Sequence, residues 1–391
     1  MVGWGCIFRS LVSAIGSQVR VLRVRVRVPG LTPEPECLNQ GPEARDPAPE
    51  NASSLSSPLR FCILLRFRTL HPMPTPRREF LKHSAWLSLA ALGLTARAAD
   101  SAPAAKISRL RTSLNAYSFY VELNLGLKDP TNPKAMNLHQ LLTFTAEAGF
   151  DAIDLTGYFF ASYPKAPTDA EIFAIKHEAF RLGLEISGSG VKNEVTTADK
   201  ALRAEGKQRI KDWVDVCVKL GAPVLRVFAD TNIPPQKWQA VSGGASRDVV
   251  EGWIADDFRE CAEYAAARGI FIGVQNHGDF LTTGAEHVSL LKRVNHPNCR
   301  AIVDTGKYLT EDPYVDMALA APYAVNWQVK ETPFGKPNKP LTDMRKIVKI
   351  ARDAGYNGYL PIESLPMGRK NYDTPGELKR MLKELKAAIA E

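Results

Sequence analysis

The first 72 residues of this 391-residue chain contain no lysine, although they carry nine arginines and five acids. Their middle, Pro29 to Pro58, is rich in Pro, Glu and Ser and has no hydrophobic periodicity, so it does not read as a packed domain. The rest of the chain has its own absences. No CxxC spacing links any of the six cysteines, which excludes a thiol redox motif and the common zinc-binding patterns. Cys217, Cys261 and Cys299 sit in helix or strand patterns and read as buried thiols; a disulfide between two of them cannot be argued from spacing. No GxGxxG follows the first strand-like segment and no P-loop occurs, which removes the usual dinucleotide and nucleotide-phosphate signatures. An excess of charge of one sign is also missing outside the leader. Residues 1–100 hold 13 Lys/Arg and 7 Asp/Glu, leaving 50 − 13 = 37 and 42 − 7 = 35 for the remainder. The formal charge of +8 is therefore mostly a property of the leader, and the remainder has no electrostatic footprint for nucleic acid.

What the leader does contain is an ordered signal. Pro76-Arg77-Arg78-Glu79-Phe80-Leu81-Lys82 precedes an apolar stretch, Ala85 to Leu94, and then Ala96-Arg97-Ala98. Charged, apolar and small-residue segments in that order define a cleavable signal, and paired arginines mark its twin-arginine form. The apolar stretch is too short for a bilayer, which needs about 20 residues, so no stable membrane insertion is expected after cleavage. The expected layout is a misassigned or disordered extension over 1–72, a twin-arginine signal peptide over 73–98 and a folded part over 99–391, delivered to the periplasm or otherwise exported. Arg20 to Val28 alternates like a strand with one basic face, but no partner for it is apparent.

From residue 108 on, short apolar runs alternate with helical patterns, the mark of repeated βα units and a parallel sheet. Strands are expected at 111–119, 152–155, 184–187, 223–228, 270–275, 300–303, 325–329 and 359–363. The helices between them fall at 138–148, 169–182, 198–220, 248–268, 285–294, 314–320, 343–354 and 375–390. Asn137 is a helix N-cap, and Gly149, Gly183, Gly221, Gly269 and Gly355 are stops. Eight units match a single (β/α)8 TIM barrel preceded by a signal segment; a doubly wound open sheet is the alternative.

Active sites of such barrels lie at the C-terminal strand ends. Those ends read Asn115 and Tyr117, Asp154, Ser187–Ser189 with Lys192, Arg226 with Asp230, Gln275-Asn276-His277, Asp304 with Lys307, Gln328 with Lys330 and Glu331, and Glu363. Of the five histidines in this region, His139, His177 and His287 fall in helices and His296 in a loop. Only His277 is at a strand end, on the inward face it shares with Gln275 by alternation; Lys330 shares a face with Gln328. A role for His277 in supporting a neighbouring site residue, or in the core, stays open. Tyr117, Phe119, Tyr158, Phe228 and Trp327 are aromatic candidates for stacking on a sugar, or for the core.

Gly273-Val-Gln-Asn-His-Gly278, Asp304-Thr-Gly306, Val325-Asn-Trp-Gln-Val-Lys-Glu331 and Pro361-Ile-Glu-Ser364, in order on consecutive strands, resemble the xylose-isomerase-like barrels of the sugar phosphate isomerase/epimerase family over roughly 108–388. That resemblance implies one divalent metal, Mn²⁺ or Mg²⁺, held by Gln275, Asp304, Gln328 and Glu363. Glutamine stands where the family has a Glu (Gln275) and a His (Gln328), and Lys307 replaces a further histidine. Two carboxylates and two neutral amides are a weak set for a hard cation, so an empty polar cluster is the other reading. The implied chemistry is proton transfer next to the carbonyl of a sugar or keto-sugar, with Glu363, His277 and Lys330 as catalytic groups. Tyr117, Arg226, Lys307 and Asn276 would contact substrate, as would Lys192. Because Gln275 cannot act as a base, lyase or hydratase chemistry on a 3-keto-glycoside is an alternative. A catalytically silent sugar-binding barrel is another. The expected partner is a small sugar, and homo-oligomerisation stays open.

Overall fold

A computed structural model describes residues 7–15, 18–26, 109–337 and 339–391. The signal expected over 73–98 lies outside the described residues. Two units are distinguished, 1–95 and 96–391. In the first, Gln18–Val26 pairs antiparallel with Ile7–Ile15. The basic alternating segment therefore does have a strand partner, contrary to expectation. Ile7–Ile15 lacks the strict alternation that marks 20–28, so its sequence does not show it to be a strand.

In the second unit eight parallel strands close into a barrel. They are β1 (Arg111–Asn115), β2 (Ala152–Thr156), β3 (Glu185–Gly190), β4 (Val224–Phe228), β5 (Phe271–Gln275), β6 (Cys299–Asp304), β7 (Ala324–Lys330) and β8 (Tyr359–Glu363). β8 pairs with both β7 and β1, which closes the ring without a free edge. The outer helices are α1 (Leu138–Ala148), α2 (Asp169–Arg181), α3 (Lys200–Leu220), α4 (Arg247–Ala266), α5 (Gly284–Val294), α6 (Pro313–Ala320), α7 (Met344–Asp353) and α8 (Thr374–Ala390). Among the described residues, no helix is long and apolar enough to cross a membrane.

Local chemistry sets these boundaries. Asn137 caps α1 in a reciprocal capping box with Gln140, and Gly149 ends it at φ 88°. The expected first strand, 111–119, is cut short at Asn115. Its side-chain oxygen accepts from the Tyr117 amide at 2.8 Å, starting a 3₁₀ turn over Ala116–Phe119 and then a helix, Tyr120–Lys128. The apolar run there looked strand-like, but an Asn that caps the following amides wins. β3 runs on to Gly190 because Gly188 and Gly190 leave room for the Asp154 and Arg226 side chains. Cys217, Cys261 and Cys299 are buried and free, and burial pushes the Cys261 thiol up to about 12.

His287, on the inner face of α5, is fully buried. It sits 2.9 Å from the Val274 carbonyl through Nε2 and 3.0 Å from the Tyr308 hydroxyl through Nδ1. The carbonyl can only accept, so Nε2 carries the proton and Nδ1 accepts from Tyr308. Burial pushes the imidazole down to about 4. Since an unfolded histidine titrates near 6.5, the unfolded chain takes up a proton that the folded chain refuses as pH falls between those values. This stabilisation is complete above about pH 6.5 and declines towards pH 4, by about 2 kcal/mol on reaching pH 5. Urea unfolding at pH 7 and pH 5 is expected to show that loss in the wild type and a flatter dependence in His287→Gln. An equal slope in both proteins would assign the titration to another group.

Candidate active site

The C-terminal strand ends surround a cavity of about 290 Å³, near the lower limit for small-ligand sites. Tyr117, Arg226, Gln275, His277, Lys307, Gln328, Lys330 and Glu363 all line it, joined by Tyr158, Lys192, Phe228 and Asp230. The sequence-selected residues therefore converge, with two exceptions. Asn276, expected to touch substrate, is fully buried, and its amide brackets the Asp304 backbone, donating to the carbonyl at 2.9 Å and accepting from the N–H at 2.7 Å. Directly after an inward-facing Gln275, its side chain is turned into the wall of the barrel, where it joins β5 to β6. Asp304 also has no exposed surface and lies beneath the cavity floor. Of the aromatic candidates, Phe119 and Trp327 are core, whereas Tyr117, Tyr158 and Phe228 face the cavity.

At the floor, the Lys330 ammonium contacts Glu363 Oε1 and lies 3.4 Å from Asp304 Oδ2. Burial alone would lower the lysine's pKa, but the Asp304 and Glu363 carboxylates outweigh it and raise the value, so the cation persists. Its backbone is held on both sides, with its N–H donating to Thr305 Oγ1 at 2.9 Å and its carbonyl accepting from Thr342 Oγ1 at 2.7 Å. Gln275 donates from Nε2 to Asp304 Oδ2 at 2.6 Å, while its oxygen is buried and finds no donor among the described residues. Gln328, oriented to satisfy both amide atoms, donates to Glu363 Oε2 at 3.0 Å and accepts from Asn115 and Arg226.

Arg226 is the second buried cation. It reaches Asp154 at 3.4 Å and Thr156 Oγ1 at 3.0 Å. Burial would lower its pKa, but Asp154 and the other nearby acidic groups raise it. Tyr117 keeps its proton, since burial, with Glu363 next, raises its pKa.

On the opposite lip, His277 Nδ1 lies 2.6 Å from Asp230 Oδ2. The contact is built by Gly278, which at φ 69° brings the chain so close that a Cβ there would fall 2.5 Å from Asp230 Cβ. The carboxylate fixes the ring with its proton on Nδ1 and leaves Nε2 as the atom available to a ligand. The sequence does not announce the role of Asp230; its one local signal is that it follows β4, the strand beside the one leading to His277.

The floor does not suit the divalent metal expected at Gln275, Asp304, Gln328 and Glu363. Among the described residues no group of three or more His, Cys, Asp and Glu side chains is arranged to hold a metal. Both carboxylates already share an ammonium, and both glutamines turn N–H groups towards them. A dication about 4 Å from that ammonium would meet repulsion of roughly 8 kcal/mol at an effective dielectric constant of 20.

The sequence family described as xylose isomerase-like TIM barrel matches residues 142–387. Among solved structures, a D-psicose 3-epimerase from Clostridium cellulolyticum H10 is similar at 16% identity and a TM-score of 0.58, covering 71% of this chain and 99% of that one. A 3-keto-D-glucoside 4-epimerase from E. coli, at 14% identity and a TM-score of 0.53, covers 72% and 100%. An L-ribulose 3-epimerase, at 18% and 0.54, covers 71% and 95%. No curated protein matches the sequence.

The His277–Asp230 contact predicts its own spectroscopic signature. The ¹⁵N spectrum of its neutral imidazole is expected to show His277 as the Nδ1-protonated tautomer. Asp230→Asn should shift it towards the Nε2-protonated form that predominates in free imidazole side chains. An unchanged spectrum would mean that Asp230 does not orient the ring.

Proposed function

Since this chain belongs to the xylose isomerase-like TIM barrel family, we propose that it is a sugar-modifying enzyme that moves a proton next to the carbonyl of a sugar or keto-sugar. One observation carries the proposal: Glu363 and the Asp230-oriented His277 open onto one cavity from different strand ends. Isomerisation or epimerisation requires a base on one side of the reacting carbon and an acid on the other. Of Glu363 and His277, the one without a proton takes it from carbon and the one that carries a proton returns it from the other side; the second oxygen of Glu363 is held by Gln328, and His277 turns Nε2 to the cavity. Tyr117 provides a protonated hydroxyl and an apolar face, and Lys192 and Lys307 ring the mouth for hydroxyl contacts.

A second reading, elimination from a 3-keto-glycoside, is favoured by Gln275. Where the family resemblance implies a carboxylate, this side chain cannot take a proton, and elimination needs only one base to begin. Export by the twin-arginine route belongs to the same proposal and favours a substrate without phosphate, which the nearly neutral folded part also suits.

Incubating the protein with keto-sugars and 3-keto-glycosides in D₂O tests these readings. Deuterium entering the carbon next to the carbonyl without net product supports epimerisation, and an unsaturated product supports elimination. Glu363→Gln is expected to lower turnover by about 100-fold or more. His139→Ala, on the outer helix α1 where the ring pairs with Glu178, should leave turnover unchanged. Equal losses in the two variants would misplace the site. Binding without exchange across the panel would instead identify a silent sugar-binding barrel.

A further inference from the structure

We infer that Lys330 is a built-in cation standing where the family resemblance places a divalent metal, so that this barrel works on an ammonium and does not recruit Mn²⁺ or Mg²⁺. The inference concerns the same cavity as the proposed function, but its test requires no substrate.

Three independent features place the ammonium there. Its head lies between Asp304 and Glu363, the two carboxylates that remain in the expected ligand set. Its backbone is clamped by Thr305 and Thr342, one on the β6 side and one beyond β7. Its stem lies against Gly306, where a Cβ would fall 2.8 Å from Lys330 Cγ and 3.1 Å from Cβ. The glycine of Asp304-Thr-Gly306 therefore makes the room that the lysine stem occupies.

The remaining positions have adapted in the same sense. A metal needs oxygen lone pairs aimed at it. Gln275 points its N–H at Asp304 and Gln328 its N–H at Glu363, so each amide supplements the carboxylates' hydrogen bonding and adds no charge. Gln328 further spends its oxygen on Asn115 and Arg226. The Gln275 oxygen is buried and has no donor among the described residues, and a substrate hydroxyl entering from the cavity would satisfy it.

The consequence for catalysis is electrostatic. When a base takes the proton from the carbon beside a carbonyl, the electron pair moves onto the carbonyl oxygen. The Lys330 ammonium can donate a hydrogen bond to that oxyanion, and the charge returns to carbon when the proton is redelivered. The lysine keeps its proton throughout.

Titration of the purified protein with Mn²⁺, with free ion measured by electron paramagnetic resonance, tests the inference. The wild-type protein is expected to leave Mn²⁺ free up to about millimolar concentration. Lys330→Met, which leaves Asp304 and Glu363 facing each other without their cation, should bind it at least about 100-fold more tightly. Lys330→Arg retains the charge and should behave as wild type. Stoichiometric binding by the wild-type protein at micromolar Mn²⁺ would overturn the inference, as would a folded Lys330→Met with no gain. The wild-type titration decides the matter even where Lys330→Met does not fold. A negative D₂O assay would leave the metal result standing, and tight Mn²⁺ binding would leave the sugar reading standing, so the two can fail separately.

Discussion

The floor of the barrel mouth depends on one arrangement of charge: two buried carboxylates, Asp304 and Glu363, sharing the ammonium of Lys330. Removing one member of such a buried set typically costs about 3–5 kcal/mol, because the other members remain desolvated and uncompensated. The rest of the site is organised around that requirement. Gln275 and Gln328 add neutral donors to the carboxylates, and Asn276 ties β5 to the Asp304 backbone. Arg226 with Asp154 forms a second pair that shares the field of Glu363. The cavity walls can therefore be polar and still rigid, since the groups beneath them are committed to one another.

Rigidity continues upward into the rim. Arg369 donates to both oxygens of Glu331 at 2.8 and 2.6 Å, and the Tyr372 hydroxyl joins them at 2.6 Å. This fixes the loop after β8, which carries Leu365 into the cavity wall, to the end of β7. Across the mouth, Glu194 accepts from Thr231 Oγ1 and from the Asn232 backbone, both at 2.8 Å. Asp230 directly precedes Thr231 on the loop that Glu194 holds, so the orientation of the His277 ring is set before any ligand arrives.

Much of this was legible in the sequence because barrel strands bury both faces and announce their ends by a change from apolar to polar. Gln275, Asp304, Gln328 and Glu363 stand at strand ends of that kind; three of them line the cavity, and Asp304 lies beneath its floor. What they converge on was not legible. Alternation places Lys330 on the face of Gln328, but not the reach of its flexible stem, which depends on the empty volume at Gly306 contributed by a neighbouring strand. The first strand was overrun because apolar periodicity over 116–119 fits a strand as well as a turn, and only the bond from Asn115 to the Tyr117 amide decides it. Asn276 was misread for a related reason. A polar residue beside a site can equally serve the backbone, and its burial among β5 and β6 settles which.

Gly306 and Lys330 also constrain the order in which such a site can change. One methyl group added at the glycine would compete for the space of the lysine stem, so the glycine is not free to vary while the lysine stays. A lineage acquiring a metal ion here would first have to give up the long side chain, passing through a form whose two acids face each other bare. That intermediate would survive best where dissolved cations are plentiful, which makes the surrounding fluid a participant in the path.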